Sequence, residues 1–115
     1  MGKRYDMGLA AGEHSDIVVI TTDNPRTEDP EFIISQIEKG VLESGMLRSE
    51  WSEAKSGTYL MESDRSVAIQ KAVSLADKND TILIAGKGHE DYQIVGSTKR
   101  HFDDKEEARK AVNAL

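Results

Sequence analysis

Polar and apolar residues follow two different periods along this chain of 115 residues. Short apolar runs bounded by polar turns predict β-strands, and apolar residues spaced three or four positions apart predict helices. The predicted strands are residues 16–22, 58–61 and 81–85, and the predicted helices are residues 3–13, 30–43, 65–77 and a last one that begins at Asp103. Strands that alternate with helices indicate an α/β fold with a mainly parallel sheet flanked by helices.

A hairpin and several helix ends can also be located. Residues 92–95 and 99–102 predict a C-terminal hairpin. Acidic residues that favour the N-cap position precede three of the helices, namely Asp29, Asp64 and Asp103. Glu106, three residues after the last of these, predicts a capping box. Gly12 is expected to end the first helix.

Composition narrows the class of protein. The length fits a single domain, and because aromatic residues make up only 5% of the chain, the core must be aliphatic. A formal net charge of -6 argues against nucleic acid as the main partner. No apolar run approaches the roughly 20 residues that span a bilayer, so no membrane partner is expected. No apolar h-region follows the basic residues Lys3 and Arg4, so no signal peptide is expected either. Cysteine is absent and the three histidines are too scattered for a zinc site, so we expect a cytoplasmic protein without a bound metal.

Polar loops follow the first and third predicted strands, at the edge where open α/β sheets bind ligands. The first loop carries Asp23, Asn24 and Arg26, and the second carries Gly86, Lys87, His89 and Glu90. Arg26 can bind a carboxylate with two parallel N–H bonds, which lysine cannot reproduce. Asp23 and Glu90 can hold an ammonium group. The two loops together therefore predict a crevice for a small zwitterion.

Plainer interpretations of the same residues remain open. Residues 23–25 also fit an ordinary turn, and Arg26 fits a surface ion pair. Residues 86–88 resemble a phosphate-binding loop but lack its full glycine spacing and the Ser or Thr after the lysine. His89 fits either a general base or a hydrogen-bonded loop histidine. The carboxylates at the start of the last helix fit a solvated face; they are Asp104, Glu106 and Glu107.

The two loops are also where the chain resembles a known family. Residues 22–26 followed by 28–30, and residues 85–90 continued by Tyr92-Gln93, are similar to two signatures of the Mur ligases that add the third residue of the peptidoglycan stem peptide. Lesser patterns of that family are matched by residues 64–65, 68–69, 102–104, 2–4 and 7–8. The resemblance covers nearly the whole chain, in order and at the family's spacing.

This resemblance implies that residues 1–115 are a single Rossmann-like domain, the C-terminal amino-acid-binding domain of such a ligase. It implies meso-diaminopimelate as the amino acid, with the Arg26 guanidinium on the distal carboxylate and Glu90 on the ammonium group. The implied substrate-binding residues are Asp23, Asn24, Arg26, Gly86 and Glu90. No catalytic residue is implied within the chain.

The implied reaction is ATP-driven amide formation through an acyl phosphate. In the family, the central domain carries the P-loop, the magnesium ligands and the modified lysine, so ATP and Mg are expected to bind mainly outside this chain. UDP-N-acetylmuramoyl-dipeptide would be bound through the missing domains. The family's Gly-Asp-Arg-Asp stretch before Gly2 is absent and the chain opens with a helix. We therefore expect an N-terminally truncated fragment that is inactive alone.

Three other interpretations compete with this one. A ligase of the wider Mur and folylpolyglutamate group would share the fold, but its loops are not expected to carry residues 24–26. A phosphoacceptor receiver domain has a similar length, yet it needs an acidic pair that the segment before Asp16 lacks. A free-standing, non-catalytic amino-acid-binding module is the third possibility.

Overall fold

The structure is a computed structural model and describes residues 2–22, 29–85, 92–95 and 98–115. In chain order its elements are α1 (Lys3–His14), β1 (Ile17–Ile20), α2 (Pro30–Glu43), β2 (Leu47–Arg48), a 3₁₀ turn (Trp51–Glu53), β3 (Thr58–Met61), α3 (Arg65–Leu75), β4 (Tyr92–Val95), β5 (Thr98–His101) and α4 (Asp104–Asn113). Within the described residues, no helix combines the length and the apolar character needed to cross a membrane.

A parallel sheet and a separate hairpin confirm the predicted fold class. The sheet has the strand order β1-β3-β2, and both outer strands run parallel to β3. Strands β4 and β5 pair antiparallel as the C-terminal hairpin. Strand β2 was not predicted, because two residues with exposed side chains are too short for a periodic signal.

The predicted strand at residues 81–85 is wrong. These residues are described, but they form neither helix nor strand, and the side chain of Leu83 is 86% exposed. An apolar run can form a strand only where a neighbouring strand completes its hydrogen-bond ladder. Here the carbonyl of Ala85 instead accepts a hydrogen bond from a side chain, Nη2 of Arg65.

The predicted helix starts are confirmed, with one correction. The side-chain oxygens of Asp29, Asp64 and Asp103 each accept a backbone N–H from the first turn of their helix. The predicted capping box at the start of α4 is wrong. Glu106 Oε2 lies 2.6 Å from Nε2 of His101, so this carboxylate pairs with the hairpin rather than with the N-cap backbone.

Two apolar clusters hold the layers together. The larger one joins α2 to the sheet and contains Val18, Ile20, Ile33, Ile34, Ile37, Val41, Met46 and Tyr59. The smaller one joins α3 and α4 and contains Ile69, Val73, Phe102 and Ala111, with Ile84 packed against it. Each fully buried aliphatic side chain in such a cluster stabilises the fold by about 1.5–3 kcal/mol.

Glycines let α1 and α2 pack with their backbones close together. A Cβ on Gly40 would lie 2.6 Å from the backbone N of Leu9, and one on Gly8 would lie 3.2 Å from the backbone N of Val41. Gly12, predicted to end α1, lies inside the helix. A Cβ there would lie 2.7 Å from Cβ of Ser44, so this glycine serves packing rather than termination.

The first prediction concerns this helix contact. Gly40→Ala should destabilise the chain by about 1–3 kcal/mol, because the added methyl group meets backbone that cannot move aside. Helix propensity alone predicts the opposite, a gain of about 1 kcal/mol. Urea unfolding measures the change, with exposed Lys39→Ala on the same helix as control. A more stable Gly40→Ala variant would contradict the close contact.

Tyr59 connects the sheet to α2 through a buried hydroxyl. Its side chain is 1% exposed, and Oη donates a 2.6 Å hydrogen bond to Oε2 of Glu38. Burial, followed by the hydrogen bond and the negative charge of Glu38, raises the pKa of Tyr59 from 10.0 to about 12. All three causes disfavour a phenolate at this position.

The second prediction follows from this pKa. Between pH 10 and 12 the unfolded chain loses the Tyr59 proton while the folded chain keeps it, so the free energy of unfolding falls as pH rises. The expected fall from this group is about 2–3 kcal/mol, complete once the pH exceeds the folded pKa. Urea unfolding of the wild type and of Tyr59→Phe across this range isolates the contribution. An identical fall in both proteins would show that Tyr59 does not cause it.

Candidate functional site

The predicted substrate-binding residues fall in the two loops that lie outside the described residues. Asp23, Asn24 and Arg26 belong to the first loop, and Gly86 and Glu90 belong to the second. Their roles therefore stay predictions. The structure does describe the residues that directly precede each loop, Thr22 and Ala85.

One buried guanidinium joins the starts of both loops. Arg65 Nη1 donates to the carbonyl oxygen of Thr22 at 3.2 Å, and Nη2 donates to the carbonyl oxygen of Ala85 at 3.2 Å. Thr22 and Ala85 are the last described residues before the first and second loops. Because adjacent nitrogens of one planar group bind both carbonyls, the residues that directly precede the two loops lie side by side. These two residues meet here even though residues 81–85 form no strand.

Asp104 holds this guanidinium from the other side. Its Oδ1 and Oδ2 accept hydrogen bonds from Nε and Nη2 of Arg65 at 2.8 and 2.7 Å, the two-bond geometry that arginine forms with carboxylates. The side chains of Arg65 and Asp104 are only 3% and 13% exposed. The interpretation of Asp104 as part of a solvated face is therefore wrong, because the carboxylate turns inward to a buried positive charge. We call Arg65, Asp104, Thr22 and Ala85 the Arg65 cluster.

Local sequence places both charged side chains where they can meet. Arg65 follows the N-cap Asp64 and is the first residue of α3, while Asp104 follows the N-cap Asp103 and is the first residue of α4. A carboxylate in the first turn of a helix is also stabilised by the helix dipole. Sequence reasoning did not assign a role to this pair. The available signal was one charged residue of each sign directly after an acidic N-cap.

Further hydrogen bonds fix the end of β1. Thr22 Oγ1 donates to the carbonyl of Ser63 at 2.8 Å, and the carbonyl of Ile20 accepts from the backbone N–H of Glu62 at 2.9 Å. The strand end is thereby tied to the connection between β3 and α3. Thr21 Oγ1 is buried and has no hydrogen-bond partner within the described structure, which is uncommon for a hydroxyl.

Lys71 and Glu62 form an ion pair after the end of β3. Lys71 Nζ lies 3.1 Å from Oε1 of Glu62 and 5.2 Å from the ring centroid of Trp51. The pair is partly exposed and contributes roughly 0–1 kcal/mol. Among the described residues, no group of three or more His, Cys, Asp or Glu side chains is placed to hold a metal ion.

A family model, curated relatives and a solved structure all relate this chain to the same kind of ligase. Residues 1–88 match the family described as Mur ligase, glutamate ligase domain. Over 110 residues the chain is 47% identical to the UDP-N-acetylmuramoyl-L-alanyl-D-glutamate--2,6-diaminopimelate ligase of Fusobacterium nucleatum, which covers 96% of this chain and 20% of that ligase. The ligase of the same name from Prochlorococcus marinus (strain NATL1A) is 49% identical over 112 residues, 97% of this chain and 20% of the relative.

A solved structure of a ligase with this name is similar in fold as well as in sequence. It superimposes with a TM-score of 0.79 at 37% identity, and the match covers 98% of this chain and 21% of that one. The chain thus spans about one fifth of the length of the relatives it matches.

The third prediction concerns the Arg65 cluster. Asp104→Asn removes the negative charge with little change in shape and leaves the Arg65 guanidinium buried without a counter-charge. We expect a loss of about 3–5 kcal/mol in the free energy of unfolding. Urea unfolding measures it, with exposed Asp16→Asn as a control that should stay within about 0.5 kcal/mol of the wild type. Equal stability of the two variants would show that the ion pair is not formed as described.

Proposed function

The chain belongs to the Mur ligase family, and from this premise we propose that it is the C-terminal, amino-acid-binding domain of an ATP-dependent ligase. The ligase would add meso-diaminopimelate as the third residue of the peptidoglycan stem peptide. One observation carries the proposal. The Arg65 guanidinium binds the carbonyls of Thr22 and Ala85, so the loops with the two family signatures start next to each other. The relatives' names, which include 2,6-diaminopimelate, support the choice of amino acid.

Five loop residues are proposed to bind the amino acid: Asp23, Asn24, Arg26, Gly86 and Glu90. The Arg26 guanidinium would bind the distal carboxylate with two N–H bonds, and Glu90 would accept from an ammonium group. L-Lysine has the same distal ammonium group as meso-diaminopimelate but lacks the carboxylate beside it. Binding lysine would therefore leave the Arg26 guanidinium without its partner, and such a loss discriminates strongly between substrates.

Within the reaction, this domain would present the amino group of the amino acid for amide formation. Holding the amino acid in one orientation lowers the entropic part of the barrier. Bound ATP would supply the phosphoryl group that activates the carboxylate of the growing peptide. We propose that ATP and Mg bind mainly in other parts of the longer ligase, because residues 86–88 lack the Ser or Thr of a phosphate-binding loop. UDP-N-acetylmuramoyl-dipeptide would likewise bind there.

The remaining parts of the proposal concern the chain as a unit. Residues 1–115 would form one domain of a longer ligase, without catalytic groups of their own. The ligase would work in the cytoplasm, without nucleic acid or membrane as a partner. Amide formation by the longer ligase, and none by residues 1–115 alone, is the expected result.

The fourth prediction tests the substrate assignment in the full-length ligase that contains this chain. The wild type should prefer meso-diaminopimelate to L-lysine, measured as the ratio of their kcat/KM values. Arg26→Ala should remove most of this preference, on the order of 2–5 kcal/mol for the loss of one partner of a buried charge pair. Arg26→Lys keeps the charge but loses the two-bond geometry, so an intermediate ratio is expected.

Two results would refute this assignment. A wild-type ligase that uses both amino acids equally well would exclude selection by the distal carboxylate. An Arg26→Ala variant with the wild-type preference would place that selection on another residue.

A further inference from the structure

The Arg65 cluster has more hydrogen bonds than its ion pair requires. The guanidinium makes two bonds to Asp104 and one to each of two backbone carbonyls, those of Thr22 and Ala85. Replacing a buried ion pair by apolar residues of similar size is often neutral or stabilising. Stability therefore does not by itself explain an arginine at this position.

The two carbonyls indicate another role. Thr22 and Ala85 are 63 positions apart in sequence, and each directly precedes one of the loops proposed to bind the amino acid. Thr22 is 2% exposed and is also fixed through its hydroxyl, whereas Ala85 is exposed and follows a segment without regular structure. The guanidinium thus fastens the start of the second loop to the fixed end of β1.

We infer that Arg65 is a positioning residue for amino-acid binding: its guanidinium sets the separation between Thr22 and Ala85, the residues that directly precede the two loops, by binding both of their carbonyls. The inference rests on the proposed function, in which Arg26 in one loop and Glu90 in the other bind the same molecule. Two groups that bind the carboxylate and an ammonium group of one small ligand are sensitive to their separation. A misplacement of about 1 Å can reduce the rate on the order of 100-fold.

Asp104 orients the Arg65 guanidinium for this role. Its carboxylate occupies Nε and one side of Nη2, which leaves Nη1 and the other side of Nη2 directed to the carbonyls. A lysine ammonium is a single point of charge and lacks the planar arrangement that binds a carboxylate and two carbonyls at once. Lysine could therefore retain the ion pair while losing the fixed separation.

The experiment uses the full-length ligase and meso-diaminopimelate, with two variants of the cluster. Arg65→Lys tests the geometry at constant charge. The double variant Arg65→Met with Asp104→Leu removes the ion pair as a unit and tests positioning without leaving a buried charge. Lys110→Met serves as the control, because Lys110 forms an exposed ion pair on α4. Steady-state kinetics give KM for the amino acid and for ATP, and thermal unfolding gives the stability of each variant.

We expect kcat/KM for meso-diaminopimelate to fall on the order of 10- to 100-fold in both cluster variants, with a raised KM for the amino acid and with KM for ATP within about twofold of the wild type. The control should match the wild type in all three values. A folded double variant with an unchanged KM for the amino acid would overturn the inference. Loss of folding in both cluster variants would also overturn it, because the cluster would then be purely structural.

The wild-type measurement separates this inference from the proposed function. If the wild-type ligase preferred L-lysine, the assigned amino acid would be wrong, and the same variants measured with lysine would still decide the role of Arg65. If the wild type used meso-diaminopimelate and the cluster variants had the same KM values as the wild type, the inference alone would fail.

Discussion

The bidentate contact between Arg65 and Asp104 is the interaction on which the arrangement of this domain depends. It brings the first residue of α3 and the first residue of α4 together in a buried position. Such a charge pair persists only if the remaining donors also find acceptors, because each unpaired buried N–H is costly. The carbonyls of Thr22 and Ala85 accept from two of the three N–H donors that Asp104 leaves. The hydrogen bonds of one buried side chain therefore bring together Thr22 and Ala85, the residues that directly precede the two loops.

The layers around this contact explain why it can be rigid. Helix α2 packs on the sheet through an aliphatic cluster, and Gly8 and Gly40 allow α1 to lie close against α2. Tyr59 reinforces the same layer with its hydrogen bond to Glu38. On the other side, α3 and α4 share a smaller cluster. Since α3 and α4 carry Arg65 and Asp104 at their first positions, packing of these two helices sets the distance across which the ion pair forms.

Sequence reasoning predicted the elements whose signals are local. The N-cap residues Asp29 and Asp64 located the starts of α2 and α3, because a capping side chain and an apolar stripe reinforce each other. It was wrong at residues 81–85, since an apolar run does not reveal whether a neighbouring strand is present. It was also wrong for Asp104, because a charged residue after an N-cap does not by itself show which residue of another helix will face it. The pairing of Arg65 with two distant carbonyls depends on tertiary structure alone.

The assignment of the two loops came from motifs rather than from periodicity, and it stays a prediction, because residues 23–28 and 86–91 lie outside the described residues. A crystal structure of the full-length ligase with bound meso-diaminopimelate is the most direct test of this account. It should show the distal carboxylate about 2.7–2.9 Å from the Arg26 guanidinium, with Arg65 still bound to the Thr22 and Ala85 carbonyls. An amino acid bound away from the two loops, or an Arg65 that contacts neither carbonyl in the complex, would contradict it.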